Sequence, residues 1–199
     1  MPKMLRIPSA GARDLSTGSR SKNGLREMDW SYYDTHVMAA GTVQYRFFTS
    51  GLAGSAKTLD LTNMRLNGQI PTGERLTIMR LKMFYTSSAD IADTAWTNLF
   101  VMFARTTIEV KVSGADSVLT ITLQELLGNP LQVSQTALAG SNTTPNARFH
   151  GVFPFNKPLI YSEQETVEVL MTHQVAPNAS LNGHFLKLCL SGILERKLS

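Results

Sequence analysis

Hydrophobic and polar residues alternate with a period of two along most of the chain after Thr42, which is typical of β-strands that bury one face. Val43, Tyr45 and Phe47 show the pattern first, with Gln44 and Arg46 between them. The same alternation predicts strands within 43–47, 58–66, 76–85, 108–112, 119–123, 167–171 and 186–190.

Three local signals refine this pattern. The apolar positions of 76–85 change parity in the middle of the segment, so we expect a β-bulge near Ile78 or Met79. The segments 108–112 and 119–123 flank a turn at 113–116, which predicts a hairpin. The one helical turn that we expect, 124–127, ends before Pro130, because proline cannot continue a helix.

The connections between the predicted strands are long and polar, as in 135–146. Simple hairpin ladders need only a few residues per turn, whereas strands that cross between two sheets need more. We therefore predict an all-β fold, an antiparallel β-sandwich of about eight strands, with the jelly roll as the preferred topology. The 199 residues, of which 43% are hydrophobic and 17% charged, suit a single domain.

Charge divides the chain into two parts. The whole chain has a net charge of +4, and the first 26 residues contain six basic side chains against one acidic side chain, Asp14. The basic residues are Lys3, Arg6, Arg13, Arg20, Lys22 and Arg26. We predict an extended basic N-terminal arm over residues 1–28 and the sandwich domain over 29–199, with Trp30, Tyr32 and Tyr33 anchoring the start of the domain. The arm is expected to contact neighbouring subunits or nucleic acid.

The cysteine content and the N-terminal sequence are not those expected of a secreted, disulfide-stabilised protein. A single cysteine, Cys189, cannot form an internal disulfide, and we interpret it as an inert thiol on a strand. No apolar stretch follows the first basic residues as in a signal peptide, and no stretch is long enough to span a membrane as a helix.

The segment 51–58, Gly-Leu-Ala-Gly-Ser-Ala-Lys-Thr, differs by one residue from the phosphate-binding G-x-x-x-x-G-K-[ST] loop. Ala56 replaces the second glycine, and its Cβ hinders the backbone from wrapping a phosphate. A phosphate loop must also open a helix, whereas 58–66 alternates like a strand. We therefore interpret the segment as a connection between strands.

The other candidate sites do not form recognisable catalytic or metal-binding patterns. The four histidines, His36, His150, His173 and His184, lack ligand spacing, so neither a metal nor a cofactor is expected. Glu163 and Glu165 are interpreted as solvated turn residues rather than a glycosidase pair. Asp90 and Asp93 are of a residue type that can bind calcium, but we interpret them as ordinary surface residues. No catalytic residue is expected, and the chain is not predicted to be an enzyme.

The C-terminal part carries a family-like pattern. Residues 153–161 (FPFNKPLIY) lead through 162–166 (SEQET) into 167–170 (VEVL), and the chain ends in the strand 188–196 (LCLSGILER). This pattern resembles the single jelly-roll capsid proteins of viruses and phages. The resemblance implies a virion protein, assembled in the cytoplasm or nucleus of a host cell. It also implies an arm that threads under neighbouring subunits or contacts the genome or an internal membrane.

The leading hypothesis is therefore a jelly-roll capsid subunit that assembles with copies of itself and with other capsid proteins and has no small-molecule substrate. Six basic residues among 26 are few compared with the dense arginine tracts of tails that package a genome. We therefore expect the arm to dock mainly on neighbouring subunits. The alternative is a carbohydrate- or receptor-binding β-sandwich module of a spike or fibre, with Trp96 as the candidate sugar-stacking residue. A β-sandwich enzyme is the third possibility.

Overall fold

The computed structural model describes residues 25–53, 57–88, 91–113, 117–127, 143–144 and 148–197. Most of them form antiparallel β-strands. The strands are β1 (Leu25–Val37), β2 (Gln44–Phe47), β3 (Glu74–Thr86), β4 (Ile91–Ala92), β5 (Thr106–Val112), β6 (Ser117–Thr122), β7 (Thr143–Thr144), β8 (Arg148–Tyr161), β9 (Val167–His173) and β10 (Phe185–Lys197). Two helices, α1 (Asp93–Ala104) and α2 (Leu123–Leu127), and a 3₁₀ turn at Ala179–Leu181 complete the described elements.

Eight of these strands form two four-stranded sheets. The first sheet has the order β1-β10-β3-β8, and the second has the order β2-β9-β5-β6, while β4 and β7 form a separate two-stranded pair. Every pairing between these strands is antiparallel. The predicted all-β antiparallel sandwich is confirmed.

The pairings are nested along the chain. β1 pairs with β10, β2 with β9, β3 with β8, and β5 with β6. The first half of the chain therefore runs alongside the second half in reverse order, and the long hairpin that results is divided between two sheets. The predicted hairpin between β5 and β6 lies at its closed end.

The core lies between the two sheets and is built by the alternation seen in the sequence. In β3 the side chains of Leu81, Met83 and Tyr85 are fully buried, and the residues between them point outward or are only partly buried. In the second sheet Ile108 and Val110 are buried in the same way. Because removal of apolar surface from water dominates folding, this alternation fixes which face of each strand is internal.

The predicted bulge is confirmed. The register of β3 against β8 shifts between Ile78 and Arg80, and against β10 the residue between them, Met79, has no counterpart. On the other side of β3, Ser191 pairs with Arg80 and Gly192 with Ile78. A Cβ at Gly192 would lie 1.9 Å from the Thr77 carbonyl oxygen, so this close approach of two backbones requires glycine.

One predicted strand is wrong, and strands β1 and β8 were not predicted. The segment 58–66 forms turns and bends with one isolated bridge at Thr62, instead of a strand, because its apolar residues do not find a partner strand. Helix α1 was not predicted, although Leu99, Met102 and Phe103 have helical spacing and are buried.

The short helical turn is confirmed as α2, and its start has a physical cause. The Glu125 carboxylate accepts a hydrogen bond from the Thr122 N–H at 2.8 Å, and the Thr122 hydroxyl accepts one from the Glu125 N–H at 3.3 Å. This reciprocal pair is a capping box, which satisfies two N–H groups that a helix start leaves free. Gly151 of β8 lies beneath α2, since a Cβ there would be 2.3 Å from the Leu126 carbonyl oxygen.

Candidate functional site

The lysine of the phosphate-loop-like segment serves as a buried ion-pair partner. Lys57 Nζ lies 2.5 Å from Oδ1 of Asp34, a β1 residue that is completely buried. The other carboxylate oxygen of Asp34 accepts a hydrogen bond from the Phe48 N–H at 2.7 Å, at a residue whose φ is +67°. Turns follow Lys57 where a phosphate loop would require a helix, and the described residues of the segment, 51–53 and 57–58, lie in neither a helix nor a strand.

His36 adjoins this ion pair without completing a catalytic set. Its Nε2 donates to the Arg46 carbonyl oxygen at 2.9 Å and lies 3.8 Å from Asp34 Oδ2. Burial and the neighbouring Lys57 lower the pKa of His36, while Asp34 opposes them. The arrangement joins β1, the end of β2 and the following loop, and its charges are satisfied internally, so we interpret it as structural.

Two further histidines are buried in the core. His184 Nδ1 lies 2.5 Å from the Tyr85 hydroxyl oxygen, and burial lowers the pKa of His184. The Thr106 hydroxyl donates to the Met102 carbonyl oxygen at 2.6 Å, so it must accept the hydrogen bond from His173 Nδ1 at 2.7 Å. No local sequence pattern signals these contacts, since the partners are distant along the chain.

The remaining predicted groups lie apart from one another. Glu163 accepts from the Gly73 N–H at 2.7 Å and Glu165 from the Ser162 N–H at 2.6 Å, as expected of turn residues. Burial raises the pKa of the Cys189 thiol, and Lys187 and Lys82 only partly oppose it. Within the described ranges, no group of three or more His, Cys, Asp or Glu side chains is placed to hold a metal ion.

The arm and the candidate sugar-binding residue are only partly described. Lys3, Arg6, Arg13, Arg20 and Lys22 lie outside the described residues, as does Asp90. Arg26 is exposed and lies in β1, opposite Arg196 of β10, so the arm boundary drawn at residue 28 falls inside a strand.

Trp96 lies in α1, which Asp93 begins. The Trp96 side chain is outside the described part of the structure, and its role in sugar binding stays a prediction.

The outer face of the first sheet is the described surface that best suits a partner. Its middle carries aromatic and cationic side chains together, and we call it the basic–aromatic face. It consists of Arg80, Lys82 and Phe84 of β3, His150 of β8, and Phe185 and Lys187 of β10. The rings of Phe84 and His150 stack with centroids 6.4 Å apart, and Lys187 Nζ lies 4.4 Å from the centre of the Tyr33 ring.

Two concave regions lie on this side of the molecule. A pocket of about 230 Å³ is lined by residues that include Thr35, Asp60, Phe84, Thr86, Phe185 and Lys187. A larger cleft of about 540 Å³ lies over the bulge and is lined by residues that include Asp29, Met79, Arg80 and Gly192.

Compared with known proteins, the chain matches no protein-family model and no curated protein. Among the described helices, none has the length and apolar character needed to cross a membrane.

Proposed function

We propose that the protein is a structural subunit of a virus or phage particle, a jelly-roll capsid protein that self-assembles in the virion with its N-terminal arm docked on neighbouring subunits. The observation that carries the proposal is the strand order, β1-β10-β3-β8 facing β2-β9-β5-β6. Genome or membrane contact is the second role that we propose for the arm.

The strand order supports a jelly roll for a topological reason. A jelly roll is a long antiparallel hairpin rolled into two four-stranded sheets, and its eight strands form two Greek keys. The nested pairings of this chain and the division of its strands between the two sheets support this topology. Jelly rolls occur in viral capsids, lectins and cupins, so the topology by itself leaves these classes open.

The chemistry of the described residues favours the structural class among these. A cupin requires clustered metal ligands, and no such cluster occurs in the described ranges. The two buried carboxylates Asp34 and Glu74 are paired with Lys57 and Arg196, which suits a body in which buried charges hold the fold together.

The position and length of the arm suit a contact between subunits. β1 is an edge strand of the first sheet, so a segment attached before Leu25 starts at the periphery of the domain. Fully extended, 24 residues span at most ~80 Å, whereas a domain of this size has a radius of gyration of about 15 Å. An arm of this length can cross a neighbouring subunit, and ordering it there adds buried area without enlarging the core.

The test is particle formation by three proteins: the full chain, a variant lacking residues 1–24, and a full-length variant with the five cations before β1 changed to Gln. The deletion ends before Leu25 and keeps β1 intact. We expect closed particles from the full chain in negative-stain electron microscopy and light scattering. We expect the deletion to stay folded by circular dichroism but to lose or alter assembly.

The charge-neutral variant separates the two proposed roles of the arm. If the arm docks mainly on protein, neutralisation should impair assembly less than deletion does. If it binds phosphates, the two variants should be equally impaired and assembly of the full chain should depend steeply on salt. A full chain that stays monomeric under all salt and pH conditions would contradict the capsid proposal, and unchanged particles after deletion would contradict the role of the arm.

A further inference from the structure

The pocket on the basic–aromatic face has two aromatic walls on adjacent strands. Lys187 pairs with Phe84 and Phe185 with Thr86 in the register of β10 against β3, so the two phenylalanines are diagonal neighbours. Phe84 is 38% exposed and Phe185 is 37% exposed, which is unusual for large aromatic side chains on a sheet face. A flat ligand between or above these rings would cover them.

The pocket also contains polar groups that can recognise the edge of such a ligand. The side chain of Thr35 is 6% exposed, and its Oγ1 is a buried polar atom without a hydrogen-bond partner. Buried hydroxyls are normally paired, and Thr35 lies against the pocket, so a small shift of its side chain would give a ligand a hydrogen-bonding group. The Asp60 carboxylate, which accepts from the Thr58 hydroxyl, and the Lys187 ammonium lie on the rim.

Cationic side chains continue from the pocket along β3. Lys82 and Arg80 follow Phe84 at intervals of two residues on the same face, which places them ~7 Å apart along the strand. Asp29 at the far end and Asp60 at the pocket are the acidic residues that flank them. The centre of the face is therefore positive beside an aromatic pocket.

We propose that this face binds single-stranded nucleic acid, with one base in the pocket against Phe84 and Phe185 and the adjoining phosphates on Lys82 and Arg80. Aromatic side chains that stack bases, beside cations that follow the backbone, are the general means of binding single strands. A pocket of about 230 Å³ on a sheet face admits an unpaired base, whereas a paired base in a duplex cannot enter it. The site belongs to the body of the protein and does not depend on the arm or on particle formation.

The test measures fluorescence anisotropy of labelled 12-residue oligo(dT) and oligo(rU) with the full chain and with Phe84→Ala and Lys82→Gln variants. Matched controls are Val118→Ala, at an exposed apolar residue of β6, and Lys111→Gln, on β5 of the second sheet. Phe84→Ala should weaken binding about tenfold, as loss of one stacked base does. Lys82→Gln should lower the salt slope of log K by about 0.7, the loss expected for one contact to a single-strand phosphate.

Further measurements distinguish base stacking in this pocket from binding to the cations alone. Phe84→Trp should keep the affinity, because it keeps a stacking surface, and an oligo(5-iodouracil) photocrosslink should map to the β3 peptide. The Phe84→Ala variant and the wild type should bind duplex DNA of the same length with equal affinity. Thermal melting of each variant checks that it is folded.

Three results would overturn the proposal. The first is equal affinity of Phe84→Ala and Val118→Ala for the oligonucleotides, with crosslinks confined to residues 1–24, since binding would then belong to the arm alone. The second is the same tenfold difference with mononucleotides, which would make the pocket a nucleotide site. The third is loss of self-association in Phe84→Ala with unchanged oligonucleotide binding, which would assign the face to a second copy of the chain.

Discussion

His173 should make the fold sensitive to acid, because its imidazole is held neutral in the core. The side chain is 2% exposed, its Nδ1–H is bonded to the Thr106 hydroxyl, and its Nε2 has no partner. The Tyr45 ring packs edge-on against it, with ring centroids 5.5 Å apart. Protonation would put an N–H and a charge at Nε2 inside the core, and burial lowers the pKa of His173 from 6.5 to about 4.

The sign and size of the loss of stability follow from the difference between the pKa of His173 in the unfolded and folded states. The folded state binds the proton less well than the unfolded state, so stability is lost as the pH falls from 6.5 towards about 4 and is constant above that window. Each unit between the unfolded and folded pKa is worth about 1.4 kcal/mol, so the full loss is about 3 kcal/mol. That is a large part of the ~5–15 kcal/mol that stabilises a typical domain.

The substitution His173→Asn tests this acid sensitivity. The amide nitrogen of asparagine replaces Nδ1 as the donor to Thr106 Oγ1, but the amide does not titrate. Urea unfolding of the wild type and the variant, followed by tryptophan fluorescence at about pH 7 and about pH 4, gives the loss of stability on acidification for each. This loss should be about 3 kcal/mol smaller in the variant. His36 and His184, whose pKa values are also lowered, keep some acid sensitivity in both proteins.

His150→Asn, at an exposed histidine of β8, is the control for removing an imidazole from the surface. An equal loss of stability on acidification in wild type and His173→Asn would refute the reasoning. In that case the buried imidazole would acquire its proton in the folded state without penalty.

Two other substitutions test the packing directly. Asp34→Ala removes the carboxylate that pairs with Lys57 and accepts from the Phe48 N–H, and it should lower the free energy of unfolding by about 3–5 kcal/mol in urea titrations. Asp60→Ala, at an exposed carboxylate, should leave the free energy of unfolding nearly unchanged. Equal losses of stability in Asp34→Ala and Asp60→Ala would contradict a stabilising role of the Asp34–Lys57 pair. Gly192→Ala should cost about 3 kcal/mol or more, because its Cβ meets a carbonyl oxygen at 1.9 Å. Gly41→Ala, where φ is +78° but space is open, should cost about 1 kcal/mol, and a similar value at both glycines would contradict the close approach at the bulge.

The local alternation of residues determined much of the fold. The period of two identified most of the major strands and their buried faces, since successive side chains of a strand point to opposite sides. The parity change in β3 located the bulge at Met79, and the proline after 127 marked the end of α2. The same reasoning failed at 58–66, where alternation occurs without a partner strand, and at α1, whose helical spacing is short and lies among strand-like segments.

The candidate site was less accessible to sequence reasoning, because its residues come together from separate strands. Thr35 lies on β1, Phe84 on β3 and Phe185 on β10, and nothing in their local sequences distinguishes them from ordinary strand residues. The phosphate-loop-like segment makes Lys57 a candidate for binding a nucleotide, whereas the partner that the fold supplies is Asp34, 23 positions away. Charge alone showed only that the first 26 residues are strongly basic.

By itself the sequence determined that this is a β-rich chain with a basic N-terminal segment, which faces of most strands are internal, and where one strand bulges. Only the tertiary structure decided which strands pair, and therefore that the chain folds as nested antiparallel pairs divided between two sheets. The physical reason is that strand pairing uses backbone hydrogen bonds common to all residues, whereas burial depends on the side chain. The buried histidines, the Asp34–Lys57 pair and the pocket follow from that pairing.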